Sequence, residues 1–403
     1  MSGHVVKTGA RDVAKLTPEQ SKKVVMFGAV AALVGLGVAG AAYAADKQRF
    51  AYSYLVGFMF VTTIALGALM FVLIQHVTRA GWSVGPRRQM EWVSGILPWT
   101  VGLFVPVAMN AHTLYESWMG PHAAEDKGVA KKLGYLNPQF FFIRAAVFFS
   151  AWALLAWWFG KTSAALDDGK ESKTLTKKMQ AASAPAILVT ALTLTFAAFD
   201  WLMSLEPKWY STIFGVYIFS GGFWAALALL AVMTIYLQGK GFFQKVSTVE
   251  HRHDIGKLLF GFTVFWAYIA FSQFFLIWYA NIPEETIFFK HRWVESWQQV
   301  SMLLLFGHFV IPFLWLMPRT IKRSNAGLAI AAVWCLAMHY VDMYWLVMPN
   351  LDHGGMHFTW IDLGGLLGPV GIAALAIALR ASKGSLFPVG DPRLSEAVRL
   401  QNL

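Results

Sequence analysis

Apolar residues in this chain run in long unbroken stretches separated by short polar connections. A bilayer core about 30 Å thick is crossed by about 20 apolar residues of helix. Ten stretches reach that length, at roughly 24–45, 53–76, 92–111, 139–160, 184–204, 212–237, 256–280, 297–317, 326–348 and 360–380. They predict an all-α polytopic membrane protein of ten transmembrane helices, a single integral domain over 1–403. The longest connection, 112–138, is not of low complexity, and no soluble domain fits between spans. The first stretch ends in Ala42-Tyr43-Ala44, a sequence that a signal peptidase would accept. Its apolar run of about 22 residues exceeds the 7–15 of a signal peptide, so it reads as a true span.

Composition narrows the class. Hydrophobic residues make up 57% of the chain and charged residues 14%, against roughly 25% charged in soluble domains. Mean hydropathy is +0.51. These values exclude a soluble enzyme, a secreted disulfide scaffold and a disordered regulator. The single cysteine, Cys335, lies in an apolar run. It allows no internal disulfide, no Cys-rich zinc site and no Cys-ligated iron–sulfur cluster. No Cys-x-x-Cys-His stretch is present for covalent haem attachment. The net charge of +11 reports orientation: of 33 Lys and Arg, 22 fall on the side of the termini, 8 on the opposite side and 3 within spans. The charge-rich side is expected to be cytoplasmic, with tails 1–23 and 381–403 inside.

The fifth span closes with Asp200, six residues and Pro207, and the ninth with Asp342, six residues and Pro349. Four spans separate the two. A duplicated four-helix unit would leave this echo, with bundles at 53–204 and 212–348 in parallel orientation and two flanking helices. Chance is the rival reading. Small residues at Gly215, Gly221-Gly222 and Gly364-Gly365 would permit close helix approach.

Ionisable side chains at membrane depth are costly and face the bundle interior, a partner or water. Arg144, Asp200, His308, His339 and Asp342 qualify, with Asp362 at the start of the last span. At about 1.5 Å per residue, Arg144 and Asp200 lie at matching depths, within reach of each other. His308 falls near mid-membrane. His339 and Asp342, three apart, share a helix face. Two readings stay open for His308, His339 and Asp342: a proton path, or buried pairs that fix packing. Arg144–Asp200 reads more naturally as a structural pair. His76, Arg79, Arg87 and Arg88 read as an interfacial cluster. No metal centre is expected. Gly354-Gly355 argues for flexibility over zinc at Asp352, His353 and His357. The histidine spacing does not match a di-haem bundle.

The run Phe199-Asp200-Trp201-Leu202-Met203-Ser204-Leu205-Glu206-Pro207-Lys208-Trp209-Tyr210-Ser211-Thr212, with Phe214-Gly215-Val216-Tyr217 after it, carries a family likeness. So do Arg144 at the entry to span 4 and the His-rich last outer loop leading into Trp360-Ile361-Asp362. Over nearly its whole length the chain resembles the ActF-type membrane subunits of bacterial alternative complex III, within the NrfD/PsrC-like family. The resemblance implies a non-haem subunit of a quinol:cytochrome c or quinol:oxidase-linked oxidoreductase in the bacterial inner membrane, not catalytic on its own. It implies a core of two four-helix bundles. It also implies partners: a homologous quinol-binding (ActC-like) membrane subunit, an iron–sulfur subunit, multihaem and monohaem cytochrome c subunits, small membrane subunits and lipids. Haem and iron–sulfur clusters would sit on those partners. A quinone, menaquinone or ubiquinone, is a conceivable ligand of this chain, with His112 and Glu116 at the edge of such a site. Arg144, Asp200, His308, His339 and Asp342 would contribute to proton conduction. Rival readings are a secondary transporter with a midplane substrate site and a purely structural scaffold.

Overall fold

A computed structural model describes residues 14–169 and 171–401. The first thirteen residues of the expected basic tail, with Lys7 and Arg11, lie outside the described residues, as does Lys170. Among the described residues there is no strand. Ten helices among the described residues are long and apolar enough to cross a membrane: span 1 Pro18–Ala45, span 2 Lys47–Val77, span 3 Val84–Met109, span 4 Pro138–Asp168, span 5 Ser172–Leu205, span 6 Phe214–Gly239, span 7 Val249–Ala280, span 8 Trp297–Leu316, span 9 Asn325–Asn350 and span 10 Trp360–Lys383. The protein is an all-α integral membrane protein.

All ten expected stretches are helical, and several helices overrun them. Span 5 begins at Ser172 and span 7 at Val249, whereas apolarity begins near 184 and 256. The overruns are polar. Hydropathy stops at the membrane boundary, but backbone hydrogen bonding continues into water wherever a cap closes the end. Span 7 shows this: Thr248 Oγ1 accepts from the Glu250 amide and the His251 side chain reaches back to the Thr248 amide. Span 3 is interrupted by a 3₁₀ turn at Leu97–Trp99, around Pro98. Span 8 contains a π-helical segment at Leu304–Val310.

Spans 2, 3, 4 and 5 pack as one ring and spans 6, 7, 8 and 9 as another, with span 10 wedged against span 2 and span 1 laid along span 10. The rings meet where span 2 packs on span 6, span 2 on span 9, and span 5 on span 6. Exchanging each span for its counterpart four along leaves this pattern unchanged. Span 2 is the hub: 89% of its most apolar stretch is buried, against 22% for span 1 and 28% for span 7, whose outer faces are left for lipid.

Backbone contact makes the ring interface possible. A Cβ on Gly222 would lie 2.6 Å from the Thr63 carbonyl oxygen, and one on Gly67 2.5 Å from the Gly222 carbonyl oxygen. Spans 2 and 6 therefore cross with no room for a methyl group. Gly365 of span 10 meets the Ser53 backbone of span 2 in the same way, whereas Gly215 packs on the Thr195 side chain of span 5.

We call the end of the bundle where span 1 begins and span 10 ends the basic end, and the other the far end. At the far end the connection after span 3 caps span 5. Tyr115 Oη donates to the Trp201 carbonyl at 3.0 Å, and Trp118 Nε1 to that of Ser204 at 3.0 Å. The connection after span 7 caps span 9 in the corresponding place: Arg292 Nε donates to the Trp345 carbonyl at 3.1 Å and Nη2 to that of Leu346 at 2.8 Å. At the basic end the expected interfacial cluster is corrected in part. Arg87, Arg88 and His76 are buried, because the C-terminal segment and the end of span 4 close over them. Arg87 pairs with Asp391 at 2.6 Å, and Arg88 with Asp167 at 2.8 Å. Arg79 stays exposed.

Candidate functional site

The two rings are filled differently. The first holds an aromatic plug: Trp201 packs against Phe58, Phe104, Phe148, Phe149 and Trp152 at centroid distances of 5.1–6.2 Å. The second holds His308, His339 and Asp342, all without exposed surface. One ligand atom from each lies within 4.8 Å of the other two. The three residues that sequence reasoning placed in one functional set thus form one cluster.

Local structure explains how each arrives. His308 sits in the π-helical segment of span 8, an irregularity that re-aims side chains and recurs at functional sites. Its ring lies between two indoles, 4.0 Å from Trp224 and 3.6 Å from Trp266, at interplanar angles of 21° and 20°. Neither ring nitrogen has a hydrogen-bond partner. An imidazolium between two indole faces gains cation–π stabilisation of about 2 kcal/mol when desolvated. His339 and Asp342 project from one face of span 9. Thr63 Oγ1 of span 2 lies 2.9 Å from His339 Nε2 and also donates to the Met59 carbonyl at 2.7 Å. With its own proton committed, Thr63 accepts from Nε2–H, so His339 presents an unprotonated Nδ1. That Nδ1 has no partner. It lies with Asp342 Oδ2 beside Gly221, where a Cβ would come within 3.3 and 3.5 Å of the two atoms. Asp342 Oδ1 accepts from Tyr217 Oη, and Oδ2 from Trp266 Nε1 at 3.3 Å. Every partner of Asp342 is neutral.

The arrangement can hold a proton and share it among one carboxylate and two imidazoles. Its donor set also matches the His and carboxylate ligands of zinc. Among the described residues no other group of three or more such donors converges.

Arg144 and Asp200 sit in the first ring, apart from this cluster. Arg144 Nε and Nη2 donate to the two carboxylate oxygens of Asp200 at 2.6 and 2.9 Å. The guanidinium stacks on Tyr135 at 3.8 Å and Phe140 at 4.3 Å. Asp362 belongs to a third group, near the far end. It caps span 10 through the Thr359 amide at 2.7 Å, pairs with Arg49 Nη2 at 2.9 Å, and accepts from Ser53 at 2.5 Å. Arg49 also reaches Asp352 at 3.1 Å. His112 and Glu116 are exposed on short helical turns beyond span 3.

Sequence reasoning passed over Tyr217, Trp224, Trp266, Thr63, Arg49 and Arg292. With 18 Trp and 12 Tyr in the chain, no single aromatic stood out. Tyr217 alone carried a signal, since it lies one helical turn into span 6 from the far end, the end nearer to Asp342 on span 9. No family model and no curated protein matches the chain.

Proposed function

We propose that this protein is the non-haem membrane subunit of a quinol-oxidising respiratory complex, and that His308, His339 and Asp342 form its proton-loading site. The observation that carries the proton role is the triad itself: three fully buried titratable groups with unpartnered nitrogens and no permanent counter-charge on the carboxylate. Burying such groups costs several kcal/mol in hydrocarbon, and hydrophobic side chains of similar volume would pack as well. The respiratory setting rests on the likeness of the Phe199–Tyr217 stretch to ActF-type subunits. In that setting the protein anchors peripheral redox subunits at the far end, with both termini in the bacterial cytoplasm. Haem and iron–sulfur clusters belong to its partners. Quinol oxidation releases two protons with two electrons, and a site that changes protonation in step with that reaction supports coupling to translocation.

The test has two parts. The detergent-extracted assembly is expected to contain a multihaem cytochrome and an iron–sulfur protein; a lone homo-oligomer supports a transporter instead. In proteoliposomes, Asp342→Asn is expected to lower protons translocated per electron more than it lowers quinol oxidation. Unchanged translocation refutes the proton role.

A further inference from the structure

We infer that Tyr217, Glu206, Arg292 and His291 form the exit by which a proton leaves Asp342 for the far end, with the Glu206–Arg292 ion pair as its gate. This rests on the reading of Asp342 as a proton carrier.

The groups lie in sequence from core to surface. Asp342 is fully buried and Tyr217, hydrogen-bonded to it, is 3% exposed. Arg292 follows, over an aromatic stack of Phe288, Trp209 and Phe214 whose last ring lies 6.1 Å from that of Tyr217. It is held by the carbonyls of Trp345 and Leu346, three and four residues beyond Asp342 on span 9, or about 5–6 Å further out. Arg292 Nη1 donates to Glu206 Oε1 at 2.6 Å. The other oxygen, Oε2, is buried without a hydrogen-bond partner and faces His291 Nδ1 at 3.5 Å. The side chains of Arg292, Glu206 and His291 are 1%, 11% and 40% exposed. Buried polar atoms without a protein partner ordinarily bind water. Trp209 Nε1 is another such atom; its ring stacks on Phe288 at 4.0 Å, and Arg292 lies over that same Phe288 ring at 3.5 Å.

The transfers balance. The Asp342 proton passes to Tyr217 Oη as Tyr217 releases its own outward, so tyrosine ends unchanged. Glu206 Oε2 takes that proton through water and hands it to His291 Nδ1, and His291 discharges it to solvent. Arginine keeps its charge throughout. Its role is to hold Glu206 anionic between transfers and to repel a second cation. Burial alone would raise the Glu206 carboxyl, but Arg292 and His291 outweigh it and hold the carboxyl below the usual range.

The test uses the whole complex in proteoliposomes oriented with the far end outward. Glu206→Gln is expected to slow proton release about tenfold, and Glu206→Asp to restore most of it. Because Glu206→Gln leaves Arg292 buried without its partner, the surface variant His291→Gln is measured beside it. That variant is expected to slow release several-fold and to recover with added imidazole, a response that a packing role would not give. If Asp342→Asn impairs translocation while Glu206→Gln and His291→Gln release protons at the wild-type rate, the exit is overturned and the proton-loading site stands. If Asp342→Asn also has no effect, both fall.

Discussion

The Arg144–Asp200 pair offers the cleanest energetic test of the fold. Asp200→Asn keeps volume and shape but removes the charge that balances Arg144. The pair is bidentate, at 2.6 and 2.9 Å, with side chains 9% and 0% exposed. Removing one partner of such a buried pair costs about 3–5 kcal/mol, because the other charge is left uncompensated. The lower end applies here. Arg144 stacks on Tyr135 and Phe140 and bonds the Tyr135 carbonyl at 2.9 Å, so its head group can shift toward the interface. We therefore expect about 3 kcal/mol for Asp200→Asn. The double variant Arg144→Met/Asp200→Leu is expected within about 1 kcal/mol of wild type, since apolar replacement of a whole buried pair is often neutral. The assay is equilibrium unfolding in mixed micelles, followed by tryptophan fluorescence, over the full double-mutant cycle. A cost below about 1 kcal/mol for Asp200→Asn, or additive single substitutions, would refute the pair as a structural fastener.

Gly222→Val is expected to prevent the two rings from closing, or to cost about 1–3 kcal/mol, since a Cβ meets the Thr63 carbonyl at 2.6 Å; Gly102→Ala, with open space around it, is the control, and size-exclusion profiles report the difference. The Glu206 carboxyl lies below its ordinary value, where Arg292 and His291 outweigh burial. Its stabilisation is therefore complete above about pH 4.3 and is lost as pH falls through the lower folded value. Glu206→Gln should flatten that acid limb in urea titrations at stepped pH. Cys335, fully buried, should resist maleimide in the folded protein and react on denaturation, as mass spectrometry of the labelled chain will show. His308→Phe should keep the stack between Trp224 and Trp266 and leave the near-ultraviolet circular dichroism intact, while proton translocation falls as in Asp342→Asn.

Architecture was legible because it follows from one-dimensional quantities. Apolar run length marks a span, and the Asp-x₆-Pro echo of Asp200 and Asp342 marks two helices in corresponding places. The buried ionisable residues were legible for the same reason: a charge inside an apolar run is conspicuous, so Arg144, Asp200, His308, His339 and Asp342 stand out. What surrounds each of them was not. Trp224, Trp266 and Tyr217 are aromatic residues among many, and only packing shows that two of them flank His308 and two of them bind Asp342. Arg49 and Arg292 lie outside the apolar stretches, where basic residues are ordinary, yet Arg292 is 1% exposed because it caps a helix end. The burial of Arg87 was hidden for a different reason. The segment that covers it is the C-terminal tail, whose return path no periodicity records.

The two echoed aspartates meet different partners on one scaffold. Asp200 faces a guanidinium in bidentate contact, which holds the carboxylate in place. Asp342 occupies the corresponding position but receives only a phenol and an indole, with two imidazoles beside it. A buried carboxylate without a fixed cation takes its compensating charge from a proton. The difference is therefore one of counter-ion and not of depth or fold. Introducing a guanidinium beside Asp342, by Tyr217→Arg, should convert the second site to the kind seen in the first. Translocation would then cease while the assembled complex remains stable, and persistence of proton movement in that variant would show that Asp342 is not its carrier.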